Sequence, residues 1–293
     1  MEAGIRTTLK VAREVSPYGF FLTDGNRDVL LHYSQVAGGI SPGDEVEVFL
    51  YHDSEDRLAA TMKRPLIEWG KISLLEVMEV HPRLGCFLDM GLDRHLLLPV
   101  REMPEKPELR PVAGDRVYVY PDRDKQGRLL ARLAREQEFE KLVVPAPGSW
   151  KNRWVDAIVY KSLQMGSFVI CDAGVLGFGV LGMIHRQERT RELRVGEQVR
   201  VRVAFVRPDG RVNLSMRKPK HESQTEDAER VLAVLRERPN GAMPYSDETP
   251  ADIIAEKFQM SKAAFKRALG RLMKEGKVRQ QGNWTYLQQS ERN

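Results

Sequence analysis

A chain of 293 residues, 42% apolar and 30% charged, has the length of about two ordinary domains. It lacks both the ~18–20-residue apolar run of a membrane span and the n- and h-regions of a signal peptide. The net charge of +5 and pI near 9.1 permit a nucleic-acid partner without requiring one. The two cysteines, with no CxxC spacing and no histidine cluster nearby, argue against a disulfide framework or a metal site and for the reducing cytoplasm.

In chain order, the first unit opens on Gly19-Phe20-Phe21-Leu22, continues through Leu30-Leu31-His32 and Gly43-Asp44-Glu45-Val46-Glu47-Val48, and closes on Arg57-Leu58. The pattern returns as Gly85-Cys86-Phe87-Leu88, Leu97-Leu98-Pro99, Gly114-Asp115-Arg116-Val117-Tyr118-Val119 and Arg128-Leu129. It returns again as Gly166-Ser167-Phe168-Val169, Met183-Ile184-His185, Gly196-Glu197-Gln198-Val199-Arg200-Val201 and Arg211-Val212. The opening glycines stand 66 and 81 residues apart (19 to 85, 85 to 166). That is a domain-sized period, longer than the ~20–50 residues of a solenoid repeat. A unit of about 65 residues is near the lower limit for an independent core, so neighbouring units should support one another.

Within each unit apolar residues alternate with polar ones. Val199, Val201, Val203 and Phe205 are expected on one side, Arg200 and Arg202 on the other. Period-two patterning with Gly/Asp punctuation predicts four to five short antiparallel strands per unit, and small units of this kind fit the five-stranded OB barrel. Residues 136–144 suit one or two helical turns, and Pro145-Ala146-Pro147-Gly148-Ser149 reads as a linker into the third unit. Residues 154–219 hold 11 Lys/Arg against 6 Asp/Glu, whereas residues 5–65 hold 7 against 9, so the third unit is the electropositive one.

Past residue 219 the apolar period becomes helical. Val231, Leu232, Val234 and Leu235 mark a helix starting near Asp227 and stopped by Asn240-Gly241. Ile253, Ile254 and Phe258 mark a second, with Pro250 near its first turn. Ser261 is a plausible N-cap for a third, carrying Ala264, Phe265, Ala268, Leu269, Leu272 and Met273 on its apolar side. Residues 277–287 form a hairpin around Gly282-Asn283, whose Trp284 and Tyr286 could stack on a base or, as the default expectation, pack under the helices. Three helices and a hairpin make a winged helix-turn-helix plan. The expected organisation is mainly β with an α-helical C-terminal domain: three tandem OB-fold barrels over residues 1–65, 66–144 and 150–219, then a winged helix over residues 222–289.

Each repeat resembles the S-one RNA-binding domain, the third most closely, through Gly166-Ser167-Phe168-Val169, Met183-Ile184-His185 and residues 210–215. Met243-Pro244-Tyr245-Ser246-Asp247 and residues 261–269 are similar to one bacterial family, the conserved virulence factor B family. Its module order is three S-one repeats and a winged helix. The resemblance implies RNA binding, an influence on gene expression after transcription, and no catalytic centre or cofactor. It also implies an RNA face on each barrel. In the first repeat this face is Tyr18, Phe21, His32 and Arg57; in the third it is Phe168, His185, Arg207 and Arg211, with Met165 where an aromatic is usual and Arg207 near the usual aspartate. The second repeat keeps Phe87 and Arg128 but has Pro99 in place of the histidine, so it reads mainly as a spacer.

The physics suits such residues, because a ring stacks on any base for about 1–3 kcal/mol and an adjacent cation meets the phosphate. Taken singly, each phenylalanine fits a core role as well, each histidine a structural one and each arginine plain solvation. The recurrence at matched positions favours the set. On the third helix of the winged unit, Lys262, Lys266, Arg267, Arg271 and Lys274 make a basic face for nucleic-acid phosphates. Gly177-Phe178-Gly179-Val180-Leu181-Gly182 spells the dinucleotide fingerprint, but the β pattern continues through it and no βαβ unit follows. No Walker loop, GxSxG or HExxH occurs.

The sequence therefore reads as a non-catalytic single-stranded RNA-binding regulator, with the ribosome or RNA-processing proteins as further candidate partners and no membrane or small-molecule substrate. The alternatives are a DNA-binding transcription regulator using the winged helix, and a nuclease accessory factor.

Overall fold

A computed structural model describes residues 1–288. It divides into two compact units, Met1–Arg217 and a second that begins at Lys218. The expected end of the winged helix at residue 289 lies outside the described residues.

In the first unit, β1 (Arg6–Val15), β2 (Gly19–Thr23), β3 (Asp28–His32), β4 (Glu45–His52) and β5 (Leu58–Thr61) close into a barrel of order β1-β2-β3-β5-β4. The second repeat supplies β6 (Ser73–His81), β7 (Gly85–Leu88), β8 (Leu96–Pro99), β9 (Arg116–Arg123) and β10 (Leu129–Leu133). Then come α1 (Glu136–Phe139) and the third repeat: β11 (Trp154–Leu163), β12 (Gly166–Cys171), β13 (Val180–His185), β14 (Gln198–Val206) and β15 (Val212–Ser215). The third repeat closes like the first, through a parallel pair between its third and fifth strands. The second has the same strand order but is an open sheet, β10-β9-β6-β7-β8, with β8 and β10 unpaired. The two strands still lie side by side, so the unit keeps the barrel plan without a hydrogen-bonded ladder at that seam.

The motif glycine has a steric reason. A Cβ on Gly19, Gly85 or Gly166 would lie 2.2, 2.0 or 2.5 Å from the carbonyl oxygen of Leu31, Leu98 or Ile184 in the facing strand. Gly19 and Gly85 also adopt φ of +142° and +132°, open to glycine and strained for other residues. Each first strand carries a register shift at one place, between Val11 and Arg13, Val77 and Glu79, and Val159 and Lys161. The resulting bulge re-aims the next side chain toward the phenylalanine of the second strand.

A second bulge corrects the expected alternation. The register of β14 shifts between Val203 and Phe205, so Val199, Val201 and Val203 are buried while Phe205 is 51% exposed. The linker at 145–149 is packed: Ala146, and Trp150 just after it, are buried in the core of the third barrel.

The repeats share their cores, as their size requires. Phe49 of β4 and Val195, just before β14, both join the core of the second repeat. Phe139 of α1 is fully buried among Tyr118, Tyr160 and Phe178, with ring centroids 4.8–6.2 Å away. The run 177–182 leads into β13 with no helix opening on it, so the fingerprint reading fails on context.

The second unit comprises α2 (Lys220–Arg236), β16 (Ala242–Met243), α3 (Ala251–Phe258), α4 (Lys262–Lys274), β17 (Val278–Gln281) and β18 (Trp284–Leu287), with sheet order β16-β18-β17. α2 begins seven residues earlier than expected. Its first turns are polar in sequence, so the apolar period that marks a helix appears only from Ala228 onward. Ser261 caps α4, its side chain accepting from the Ala264 amide, and the apolar faces of all three helices meet in one core.

Gly85→Ala is expected to destabilise the first unit by about 2–3 kcal/mol, from overpacking plus backbone strain. Chemical denaturation should show a lower midpoint, whereas Gly114→Ala, whose added Cβ meets nothing within 4 Å, should cost less.

Candidate nucleic-acid interface

The bulge in the first strand brings together a pair that the linear pattern does not show. In the first barrel the Arg13 guanidinium lies 4.6 Å from the Phe21 ring centroid and pairs with Asp28 at 2.7 Å through Nη1, leaving its other N–H groups for a phosphate. In the third, the Lys161 ammonium lies 6.0 Å from the ring of Phe168. In the second, Glu79 stands opposite Phe87 at the matching register. A cation over a ring adjoins a stacking surface and a phosphate-binding charge in one place, and a carboxylate there repels phosphate. Arg13 and Lys161 precede their phenylalanines by eight and seven residues. They are missed in the sequence because the bulge breaks the strand period that would have placed them.

Phe21 and Phe168 are half-buried. Phe168 packs on the apolar cluster around Phe139 and Tyr160, so its ring serves both the fold and the face. Tyr18 is 59% exposed, and Tyr33 beside it donates to Glu14 Oε1 at 2.5 Å. His32 and His185 are exposed. In each, Nδ1 accepts the backbone amide two residues on, Ser34 at 3.2 Å and Gln187 at 3.3 Å. The neutral ring then carries its proton on Nε2, which is left as a donor. Pro99 has no equivalent group. On the third barrel, Leu163, Met165 and His185 border one hollow, so Met165 supplies apolar surface where the resemblance expects a ring.

The turn arginines are placed differently. Arg57 pairs with Asp53 at 2.9 Å and with Glu55 at 2.7 Å. Arg128 pairs with Asp124 at 2.7 Å and with Asp56 at 3.0 Å. Arg207 occupies the place of that turn aspartate in the third barrel, its amide bonding the Arg211 carbonyl as Asp53 bonds Arg57. Arg207 pairs with Asp209 at 2.9 Å. Arg211, without a carboxylate at that turn position, reaches Glu136 at 2.6 Å and Glu140 at 2.7 Å across from α1. The turn arginines thus hold turns and the α1 segment. The spacing Asp-x-x-x-Arg at 53–57 and 124–128 was the signal for this.

In the second unit, Lys262 donates to the Glu248 carbonyl at 3.3 Å, Lys266 lies 3.5 Å from Asp247, and Arg271 bonds Glu275 and Thr225 at 2.8 Å each. Arg267 and Lys274 are exposed, with no protein partner among the described residues. Trp284 is 44% exposed and stacks on Tyr286 at 6.4 Å and 26°, with Arg279 5.5 Å from the Tyr286 ring. This corrects the expectation that the two rings pack under the helices: Trp284 lies at the hairpin tip, outside the helical core.

Burial pushes the thiols of Cys86 and Cys171 up to about 11 and about 12, so neither is a reactive thiolate at neutral pH. Among the described residues no cluster of three or more His, Cys, Asp or Glu forms a metal site. No described helix is long and apolar enough to cross a membrane.

Lys277 and Arg271 hold the Glu275 carboxyl down to about 2. A depressed carboxylate contributes stability above its unfolded range and loses it as pH falls through the folded value. Carboxyl-detected NMR should show Glu275 titrating near 2, and Arg271→Ala should move that midpoint upward.

Family models match in four stretches: an S1 domain over residues 3–63, the CvfB first S1-like domain over residues 72–132, the virulence regulatory factor CvfB second domain over residues 139–219, and a CvfB-like winged helix domain over residues 229–287. The chain is 42% identical over 286 residues to "Uncharacterized protein YitL" of Bacillus subtilis (strain 168), covering 98% of this chain and 94% of that one. It is 34% identical over 233 residues to conserved virulence factor B of Staphylococcus saprophyticus, covering 79% of this chain and 76% of that one. A solved multidomain protein with nucleic acid binding domains from Streptococcus pneumoniae TIGR4 is 31% identical, covers 98% of both chains and superposes with a TM-score of 0.67. With barrels, winged helix and whole-chain similarity in agreement, the chain belongs to the conserved virulence factor B family, built from S1-type and winged-helix domains of the nucleic-acid-binding kind.

Proposed function

We propose that the chain is a non-catalytic, cytoplasmic single-stranded RNA-binding protein that regulates gene expression after transcription. Its first and third barrels are the principal RNA faces. The observation that carries this reading is the recurrence of one set in those two barrels: a cation against the motif phenylalanine, with a histidine Nε2 donor on the adjacent strand. The second repeat presents Glu79 and Pro99 at the same two positions. Rings and phosphate-seeking cations serve single strands of any sequence, and several weak faces on one chain raise each other's effective concentration. Arg267, Lys274 and the Trp284–Tyr286 stack give the winged helix surfaces for further nucleic-acid contact.

Fluorescence anisotropy with the whole chain tests the reading. Affinity for unstructured RNA should exceed that for duplex DNA of equal length and fall log-linearly with salt. A preference for the duplex would favour a transcription regulator acting through the winged helix. Metal-dependent cleavage of labelled RNA would favour the nuclease-linked alternative.

Lys161→Ala with His185→Ala should weaken RNA binding by about tenfold or more, one stacking-and-phosphate contact being worth about 1–3 kcal/mol. Both side chains are exposed, so thermal melting should hardly change. Arg211→Ala should show the opposite profile, lowering the melting temperature through loss of the Glu136 and Glu140 pairs while sparing affinity.

A further inference from the structure

A cleft of about 560 Å³ lies where the end of β4 and the following turn meet the outer face of the second repeat. Its size is that of a small-ligand pocket. Phe87, Leu97 and Leu129 give it apolar surface, and Tyr51 and His52 enter from the first barrel. It is thus lined by two repeats, which also share a core through Phe49.

The polar groups around it are fixed. Asp56, at a φ of 58° in the turn, accepts from Arg94 Nη2 at 2.9 Å on one oxygen and from Arg128 Nη1 at 3.0 Å on the other. Arg94 Nη1 also donates to the His52 carbonyl at 3.0 Å. Both guanidiniums are thus held in place with further N–H groups to spare. Two groups have no protein partner among the described residues: the buried Nδ1 of His52 and the exposed carboxylate of Glu79, beside Phe87.

The charge balance selects the occupant. Asp56, Glu79 and Asp93, with Asp124 behind Arg128, oppose Arg94, Arg128 and the Lys63 that pairs with Asp93. Burial and Arg94 keep the His52 pKa low, so this ring adds no charge at neutral pH. A phosphate entering would meet net negative charge. What suits the cleft is an uncharged planar group with donors for a carboxylate on one edge and acceptors for a guanidinium on another. Guanine has N1–H and N2–H₂ side by side on one edge, and O6 and N7 on the next, the pair arginine reads. Adenine would turn the N1 lone pair toward the carboxylate, and uracil has a single donor between two acceptors.

We propose that this cleft is a guanine slot, with Glu79 accepting from the donor edge, Arg94 or Arg128 donating to O6 and N7, and Phe87 against the base. The base is either an unstacked guanine of bound RNA, which rests on the function proposed above, or that of free guanosine, which does not.

The test uses the whole chain and its Glu79→Gln variant, an exposed change that leaves the core intact. Two probes are a uridine 12-mer and the same 12-mer with one central guanosine; a third is free guanosine against adenosine by NMR. The parent should bind the guanosine-containing strand about tenfold tighter, the effect of one bidentate base contact. Glu79→Gln should erase that margin, while the lost repulsion of phosphate raises the affinity for both strands alike. Shifts at His52 and Phe87 with free guanosine but no margin between the strands would assign the slot to the free nucleoside.

Equal response to adenosine, or a margin that survives Glu79→Gln, overturns the guanine assignment. A chain that binds both strands equally and ignores guanosine keeps the RNA reading and loses the slot. One that binds neither strand but responds to guanosine keeps the slot and loses the RNA reading.

Discussion

Each barrel depends on a close approach that only glycine allows. The residue opening the second strand sits against a carbonyl of the third, where any Cβ would overlap it. That approach pins the second strand and so fixes where the phenylalanine two residues later emerges. The bulge in the first strand then decides what faces that ring. Arg13, Glu79 and Lys161 occupy one structural position with three side chains. The scaffold repeats under steric constraint, while the charge beside the ring is free to vary, so similar barrels acquire different surfaces.

The second constraint is size. A barrel of about 65 residues buries too little apolar surface to be indifferent to its neighbours. Here Phe49 crosses from the first repeat into the second, and Phe139 fills the space between the second and third. The same need explains the arginines. With Arg207 in place of a turn aspartate, Arg211 takes its carboxylates from α1, and the ion pairs reinforce the seat of Phe139. Each half-exposed pair is worth little alone, about 0–1 kcal/mol. Their value lies in holding a short segment that has a buried ring as its anchor.

The repeat, the five-stranded units and the winged helix were legible in the sequence because motif glycines, period-two strands and a capped helix are local signals. Ser261 is one such case. What escaped was non-local or aperiodic. Phe205 looked like a core residue until a bulge turned it outward. Arg13 and Lys161 carried no motif, since their role arises from the same kind of irregularity. Arg57 and Arg128 looked available because the turn carboxylates that hold them were not weighed. Trp284 looked like core because tryptophan usually is, yet the two-residue turn at Gly282-Asn283 carries it beyond the helices.

The second repeat shows why motif loss and loss of function are separate questions. Pro99 and Glu79 remove two features that suit a phosphate-bearing strand; in the sequence Pro99 reads as leaving a spacer, and only the fold places Glu79 beside Phe87. In the folded chain the same repeat has a seam between β8 and β10 without a hydrogen-bonded ladder, and the end of β4 and the turn after it bring His52 and Asp56 to the cleft beside it. Replacing cation by carboxylate lowers affinity for the backbone of a nucleic acid, which all sequences share. It also adds an acceptor that only some bases can satisfy. Phosphate contacts position a strand, and base contacts discriminate between strands. On the function proposed above, outer barrels that do the first leave the middle repeat free to give up phosphate binding and do the second.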